Sequence, residues 1–206
     1  LVSGQTYDIS GSEWEPIGIS KWDADSQTFS HYPFKGHFDG NGATITGLTM
    51  TGDDLACYNS FNTGYACYGF FGGVDGGTVE NLRFTSFNIN TPGTAIENPE
   101  HGDACNNTVA VAVGAAVNGA RISGITVEAG SVTGHSRTAG VVGFVGAGNA
   151  NSDIPLGEIV VENCVNYATI TSNWKASTHG TAGGICATVN AYADKGGSVT
   201  FQGNTN

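Results

Sequence analysis

The chain has 206 residues, of which 39% are hydrophobic, so it is long enough to bury a sizeable core. Only 12% of the residues are charged, about half of the roughly 25% usual for soluble domains, and 32 are glycines. This composition argues against a helix bundle, because the exposed faces of helices need charged side chains. Abundant Gly, Thr and Asn favour strands and turns.

The formal net charge is −11, and residues 1–103 carry most of it, with 13 acidic and 3 basic side chains. An acidic surface repels the phosphate backbone, so we expect no nucleic-acid partner. The longest apolar run spans residues 109–117 and is too short to cross a bilayer as a helix. We therefore expect no membrane insertion.

A pattern recurs along the chain, in which a β-branched residue is followed by a polar step and usually an apolar residue. The starts of these segments lie 34 to 43 residues apart, at 45–48, 79–82, 122–125, 161–164 and 199–202. Runs of small and apolar residues precede most of them, at 69–74, 111–115, 139–144 and 182–187. A third short strand often follows, at 87–89, 131–133 and 169–171.

Three short strands in a unit of this length match one coil of a parallel β-helix, in which stacked coils bury apolar ladders. A sandwich would instead place hairpins about every 8–12 residues, and a propeller blade needs four strands. We predict one all-β domain, 1–206, with about five coils. Residues 1–33 form an N-terminal cap and first strand, and 34–206 form the coils. Glycines that recur at coil spacing are predicted to mark corners: Gly72, Gly114, Gly143 and Gly184.

Several motifs resemble the GLUG-type repeat regions of large bacterial surface and secreted proteins. They are Trp14-Glu-Pro-Ile-Gly18, Phe34-Lys-Gly-His-Phe-Asp-Gly-Asn-Gly42, Ile45-Thr-Gly-Leu48, Gly69-Phe-Phe-Gly72, Val79-Glu-Asn-Leu82, Glu162-Asn-Cys-Val-Asn166 and Ala182-Gly-Gly-Ile185. The resemblance covers about residues 7–204 and implies a right-handed β-helix at an extracellular or cell-surface location. Such regions include adhesins, and the resemblance supplies no shared catalytic residues.

Two long loops depart from the repeat, at residues 53–68 and 91–107, and long loops on a rigid scaffold often carry function. Their carboxylates would supply the oxygen ligands that Ca²⁺ prefers if adjacent coils align. The candidate ligands are Asp53, Asp54, Glu97, Glu100 and Asp103. The alternative is that these side chains are simply solvated, and no other cofactor is expected.

Aromatic side chains in loops or at strand ends form a candidate surface for a glycan or protein ligand, because their faces stack on sugars and anchor partners. The candidates are Trp22, Tyr32, Tyr58, Tyr65 and Trp174. The alternative is that they cover the edges of coils. We expect Trp14 to pack over the first coil.

The five cysteines include Cys57 and Cys67, which bracket one polar loop and are a candidate disulfide. Two free thiols are the alternative. Cys164 occupies the repeat position of Leu82 and is predicted to be a buried thiol that packs as a small hydrophobic residue. Cys186 aligns with Val142 and Phe71 in the preceding units.

No catalytic signature is present, and we assign no catalytic residue. Asp39-Gly-Asn-Gly42 is typical of a turn. Paired carboxylates on successive coils would support glycoside chemistry, but Glu80 and Glu162 are predicted to be outward and solvated.

No polar cap or terminal helix follows the last predicted strand, which suggests a larger protein or end-to-end stacking of subunits. We predict a non-catalytic extracellular module, adhesin-like or structural, that presents the two loops. The alternatives are a carbohydrate-active β-helix enzyme, either a glycosidase or a lyase, and a subunit of an extracellular filament.

Overall fold

The structure is a computed structural model, which describes residues 1–23, 28–51, 65–91, 106–147, 155–173 and 180–206. In these ranges the chain forms β-strands and one short 3-10 helix, Ala193–Lys195. Most strands pair in parallel with the equivalent strands of the turns before and after, which gives four stacked sheets. The predicted all-β parallel solenoid is therefore confirmed.

Sheet 1 runs the whole length of the solenoid and pairs six strands in succession. Its order is β1 (Thr6–Asp8), β4 (His37–Thr46), β8 (Thr78–Thr85), β12 (Arg121–Ser123), β17 (Gly157–Glu162) and β22 (Gly197–Gln202). Two short strands continue the path of this sheet after a bend, β13 (Thr126–Val127) and β18 (Val165–Asn166).

The other three sheets each stack four strands, so the solenoid has about four turns. Sheet 2 contains β5 (Thr49–Met50), β9 (Asn88–Thr91), β14 (Ser131–Gly134) and β19 (Thr169–Ser172). Sheet 3 contains β6 (Tyr65–Tyr68), β10 (Asn106–Val109), β15 (Arg137–Ala139) and β20 (Thr181–Gly183). Sheet 4 contains β7 (Phe71–Asp75), β11 (Val113–Val117), β16 (Val142–Gly146) and β21 (Cys186–Asn190).

Outside the parallel stack lies an antiparallel hairpin of β2 (Ser20–Asp23) and β3 (Thr28–His31). It precedes β4 in the chain.

In the described ranges the turns therefore contribute strands to four sheets, where the sequence predicted three strands in each turn. The strand that was missed belongs to sheet 3, and two of its members, β6 and β10, fall at the ends of the segments taken as loops 53–68 and 91–107. These strands carry Asn, Thr and Tyr in place of a clear apolar run, so their composition resembles that of a loop.

The strand register confirms three of the five repeat segments as equivalent, because Ile122 pairs with both Val79 and Val161. The first and last segments were aligned incorrectly. Ile45 pairs with Phe84, five residues beyond the position expected. Val199 pairs with Ile159, two residues before the position expected.

Strand β4 contains an irregularity, because its register with β8 shifts between Asp39 and Ala43. The backbone N–H of Asn41 donates a hydrogen bond to Asp39 Oδ1 (2.7 Å). Asn41 and Gly42 adopt φ values of 53° and 71°. The predicted turn at Asp39–Gly42 is thus a bulge inside a strand.

The core consists of inward-facing columns that run from turn to turn. One column pairs Ile45, Phe84 and Val127, each of which is buried. All residues of β11 and β16 are buried. Both strands are therefore continuously apolar in sequence, instead of alternating between apolar and polar residues. Cys164 is fully buried, as predicted for its repeat position.

Three of the four glycines predicted at corners lie instead inside the strands of sheet 4. A Cβ atom on Gly114 would lie 2.6 Å from the carbonyl oxygen of Gly72, and one on Gly143 would lie 2.8 Å from that of Gly114. These glycines recur because neighbouring backbones approach closely. The corners of sheet 1 use other residues with left-handed backbone, Asn81 (φ 57°) and Asn163 (φ 52°).

Trp14 packs over the first turn, as predicted. Its ring stacks on Phe70 with centroids 4.6 Å apart, and its Nε1–H donates a hydrogen bond to the Phe70 carbonyl oxygen (3.0 Å). Ile17 and Phe34 each form a single parallel bridge with β7, with Phe71 and Val74 respectively, and so continue the pairing of sheet 4 beyond its first strand.

Residues 203–206 bond the preceding turn through asparagine side chains. Asn204 Oδ1 accepts a hydrogen bond from the backbone N–H of Cys164 (2.9 Å), and its Nδ2 donates to the Val161 carbonyl oxygen (2.9 Å). Asn206 Oδ1 accepts from Asn166 Nδ2 (2.8 Å). These amides thus satisfy polar groups of the preceding turn.

Replacing Asn166 with Val should lower the free energy of unfolding by about 2 kcal/mol. Asn166 is 2% exposed, and its amide bonds both the N–H and the carbonyl of Ala168. Val fits the column, since Val127 occupies the equivalent position one turn earlier, but it would leave these groups without partners. The measurement is urea unfolding followed by circular dichroism.

Asn90→Val, at an exposed position of β9, is the matched control and should change the unfolding free energy by less than about 0.5 kcal/mol. If both variants lose the same free energy of unfolding, the hydrogen bonds of the buried Asn166 amide do not contribute measurably to stability.

Candidate functional site

The outward face of sheet 1 carries one column of mostly acidic and amide side chains. The strand register places these residues at equivalent positions of successive turns: Asp39, Glu80, Ser123, Glu162 and Gln202. Neighbouring strands of a sheet lie about 4.8 Å apart, so adjacent members of the column are within reach of one another.

Hydrogen bonds and ion pairs connect this column to its flanks. His37 Nε2 lies 2.6 Å from Glu80 Oε1, and Ser123 Oγ donates to Glu80 Oε2 (3.3 Å). Arg121 forms an ion pair with Glu162, and Gln202 Nε2 also donates to that carboxylate.

The expectation that Glu162 is solvated was wrong, because the residue is only 7% exposed. Its two partners explain how the carboxylate tolerates this burial. The repeat pattern correctly placed Glu80 and Glu162 at equivalent positions, but it could not show that Arg121 and Gln202 from other turns cover one of them.

Asp39 is held as an ionised hydrogen-bond acceptor. Two hydrogen bonds lower the pKa of Asp39 below its ordinary value. The larger effect comes from Asn81 Nδ2, which donates at 3.0 Å, and the smaller from the backbone N–H of Asn41. A carboxylate in this state suits the binding of hydroxyl or amide donors, whereas a general acid must hold a proton near neutral pH.

A depression of about 370 Å³ lies beside this column, at the bend of sheet 1. We call it the corner groove. Its lining includes residues from three successive turns: Asn41, Asn81, Leu82, Arg83, Gly124 and Thr126. The left-handed backbone at Asn81 and Gly124 redirects each strand, and residues on both sides of the bend therefore line the same groove.

The charges at the groove are paired. Arg83, whose side chain is 54% exposed, forms an ion pair with Glu128 on the next turn. The amide of Asn81 is oriented by Asp39, so its donor and acceptor positions are fixed on one wall. Beyond the groove, Tyr167 follows β18 and is 61% exposed.

Sequence reasoning did not identify the corner groove. The available signal was the repetition of Glu-Asn at 80–81 and 162–163, which marks a polar outward position followed by a left-handed bend. Tyr167 becomes recognisable only when the register shows that its neighbours Asn166 and Ala168 are buried and that Tyr167 points outward.

The aromatic residues predicted to bind a ligand lie on different elements. Trp22 lies in β2, Tyr65 begins β6, and Tyr32 follows β3 and is 63% exposed. Tyr58 and Trp174 lie outside the described residues. A shared aromatic surface therefore stays a prediction.

The predicted calcium ligands all lie outside the described residues: Asp53, Asp54, Glu97, Glu100 and Asp103. Calcium binding therefore stays a prediction. Within the described ranges, no group of three or more His, Cys, Asp or Glu side chains is arranged to hold a metal ion.

Cys67 is 1% exposed in β6, while its predicted partner Cys57 lies outside the described residues, so the disulfide stays a prediction. Cys164 and Cys186 are free thiols. Burial raises the pKa of Cys164 to about 11 and that of Cys186 to about 12, so both stay protonated at neutral pH. In sheet 4, Cys186 pairs with Val142, and Val113 pairs with both Val142 and Phe71. Cys186 is therefore equivalent to Val142 and Phe71, as predicted.

The two long segments of the sequence join sheet 2 to sheet 3 in successive turns. Their first ends follow β5 and β9, where Met50 pairs with Ile89, and their second ends meet β6 and β10, where Tyr65 pairs with Asn106. In the next turn only two residues, His135 and Ser136, make the same connection between β14 and β15.

Comparisons with known protein families, curated proteins and solved structures found no match to this chain. In the part of the chain that the structure describes, no helix has the length and hydropathy needed to cross a membrane. A functional assignment therefore rests on the solenoid and on the geometry of its surface.

Proposed function

We propose that this chain is a non-catalytic extracellular module, adhesin-like or structural, which presents residues 53–68 and 91–107 for ligand or partner binding. The observation that carries the proposal is that both segments begin and end on paired strands of adjacent turns. Their roots are therefore separated by one strand spacing, about 4.8 Å.

A parallel solenoid suits this role because each strand is held by hydrogen bonds to the turns on both sides. Loops that project from such a scaffold can vary without disturbing its core. The resemblance to GLUG-type repeat regions supports the extracellular location, and the excess of acidic residues in 1–103 gives both segments a negative character.

Two alternatives are each favoured by one observation. The column that contains Asp39 and Glu80 provides stacked carboxylates of the kind that a glycosidase or lyase would use. Val189 in β21 and Phe201 in β22 are 45% and 40% exposed, which favours stacking of further chains in a filament.

Shortening both segments tests the proposal. Residues 52–64 and 92–105 are each replaced by His-Ser, the connection that the chain itself uses between β14 and β15. The probes are a printed glycan array and immobilised fibronectin, fibrinogen and collagen. We expect the natural chain to bind at least one probe. The shortened variant should lose about tenfold or more in affinity, while its circular dichroism spectrum stays β-rich.

The matched control shortens residues 148–154, the connection between β16 and β17 at a different corner, and should keep full binding. Retention of binding by the doubly shortened variant would contradict the proposal. Cleavage of array glycans would favour the enzyme, and large linear particles in light scattering of the same sample would favour the filament.

A further inference from the structure

We propose that the corner groove and Tyr167 form a binding site for a neutral linear oligosaccharide lying along the solenoid axis. This inference rests on the proposed function, because it names a ligand class for a binding module. It concerns the bend of sheet 1, whereas the two long segments join sheets 2 and 3, so the two sites can be tested separately.

The shape of the groove suits an extended ligand. Asn41, Asn81 and Gly124 belong to successive turns at the bend, so the groove runs across the strands. Tyr167 belongs to the turn after that of Gly124. The turns of Asn41 and Tyr167 are three strand spacings apart, about 14 Å along the solenoid axis, and Tyr167 lies two residues beyond Val165, which pairs with the groove residue Thr126. A ligand that contacts both ends is therefore as long as a short oligosaccharide and longer than a single small molecule.

The polar groups on the walls match hydroxyl groups. The amides of Asn41 and Asn81 and the hydroxyl of Thr126 each offer both a donor and an acceptor. Asp39 bonds Asn81 Nδ2, which fixes the direction of this amide before a ligand arrives. Fixed groups of this kind lower the entropic cost of binding. Sugar hydroxyls are themselves both donors and acceptors, so they complement such a surface.

The charge at the groove favours a neutral sugar. Arg83 is neutralised by Glu128, and the adjacent column adds the carboxylates of Asp39 and Glu80. An acidic polysaccharide would meet these carboxylates as well as the net charge of −11 on the chain. A neutral ligand accepts hydrogen bonds from Arg83 and donates to Asp39 without this repulsion.

Tyr167 supplies the apolar contact that sugar binding requires. Tyr167 is 61% exposed, while Asn166 and Ala168 on either side are buried. The two buried neighbours fix the backbone, so the tyrosine ring stays on the outer surface. The backbone N–H of Tyr167 bonds the Val127 carbonyl oxygen (2.9 Å), which fixes this position against the preceding turn. An aromatic face so exposed can stack on the C–H face of a pyranose ring.

Titration of neutral hexasaccharides into the full chain tests the inference by calorimetry. The probes are cellohexaose, xylohexaose, mannohexaose and chitohexaose, with hexagalacturonate as the acidic comparator. We expect one neutral probe to bind. Tyr167→Ala and Asn81→Gly should each weaken that binding about tenfold. Glycine already occupies the bend at Gly124, so Asn81→Gly preserves the fold while it removes the amide.

Two control variants separate stacking from general damage. Tyr167→Phe keeps the ring and should bind within about twofold of the natural chain. Asn90→Val changes an exposed side chain of sheet 2 and should have no effect on binding. All variants should share one thermal midpoint.

Three results would overturn the inference: no binding of any neutral hexasaccharide at millimolar concentration, binding of hexagalacturonate alone, or full binding by Tyr167→Ala. If binding survives Tyr167→Ala and disappears when the two long segments are shortened, the groove is wrong and the proposed function stands. If binding disappears in Tyr167→Ala and survives when the two long segments are shortened, the result supports the groove and contradicts the proposed role of the segments.

Discussion

Replacing Phe84 with Ala should lower the free energy of unfolding by about 4 kcal/mol, a large share of the stability of an ordinary domain. Phe84 is fully buried in the column between Ile45 and Val127, and its ring packs edge-on against Phe70 with centroids 5.5 Å apart. Its removal leaves a cavity that the backbone cannot close, because β8 is hydrogen-bonded to strands on both sides. Urea unfolding monitored by circular dichroism gives the value.

Phe201→Ala is the matched control, since Phe201 lies in sheet 1 as well but is 40% exposed. We expect it to cost less than about 2 kcal/mol. A loss at Phe201 that equals the loss at Phe84 would mean that the stability of sheet 1 does not depend on the depth of burial. A loss at Phe84 below about 2 kcal/mol would mean that the neighbouring turns relax into the cavity.

The parallel solenoid could be predicted because every turn needs apolar residues at its inward positions, and these residues produce a repeat in the sequence. Val79, Ile122 and Val161 pair in register, and each begins a segment that the sequence pattern had aligned. Inward positions must be apolar in every turn, so the pattern survives even where individual residues change, as at Cys164. Local features that satisfy this requirement are visible without the structure.

Features that depend on neighbouring turns were not predictable. The polar strands β6 and β10 are strands because the turns beside them supply hydrogen-bond partners, not because of their own composition. The burial of Glu162 depends on Arg121 and Gln202, each about 40 residues away. The corner groove is likewise built from three turns, so no single segment of the sequence contains it.

The glycines show how one signal supports two physical explanations. A recurrent glycine indicates either a left-handed corner or a close approach of two backbones, and its spacing is the same in both cases. The structure assigns the corner role at sheet 1 mainly to Asn81 and Asn163. It gives Gly114 the second role, because a Cβ atom there would meet the backbone of the preceding turn.

Replacing Gly114 with Ala should lower the free energy of unfolding by about 3 kcal/mol, which corresponds to a fall of roughly 6–12 °C in the thermal midpoint. The new Cβ would lie 2.6 Å from the Gly72 carbonyl oxygen, 2.9 Å from the backbone nitrogen of Tyr68 and 3.0 Å from the Cys67 carbonyl carbon. All three atoms belong to the backbone of strands β6 and β7, so no side-chain rotation can relieve the contact. The two neighbouring turns would have to move apart.

Gly36→Ala distinguishes this steric effect from the general change of glycine to alanine. Gly36 is exposed, and a Cβ there would meet only the ring of Phe34, at 3.3 Å, which a small movement of that side chain relieves. We expect its thermal midpoint to stay within about 2 °C of the natural chain. If Gly114→Ala and Gly36→Ala behave alike, the glycines of sheet 4 are not required by backbone contact. If only Gly114→Ala is destabilised, close packing of neighbouring turns is the reason that glycine recurs at coil spacing.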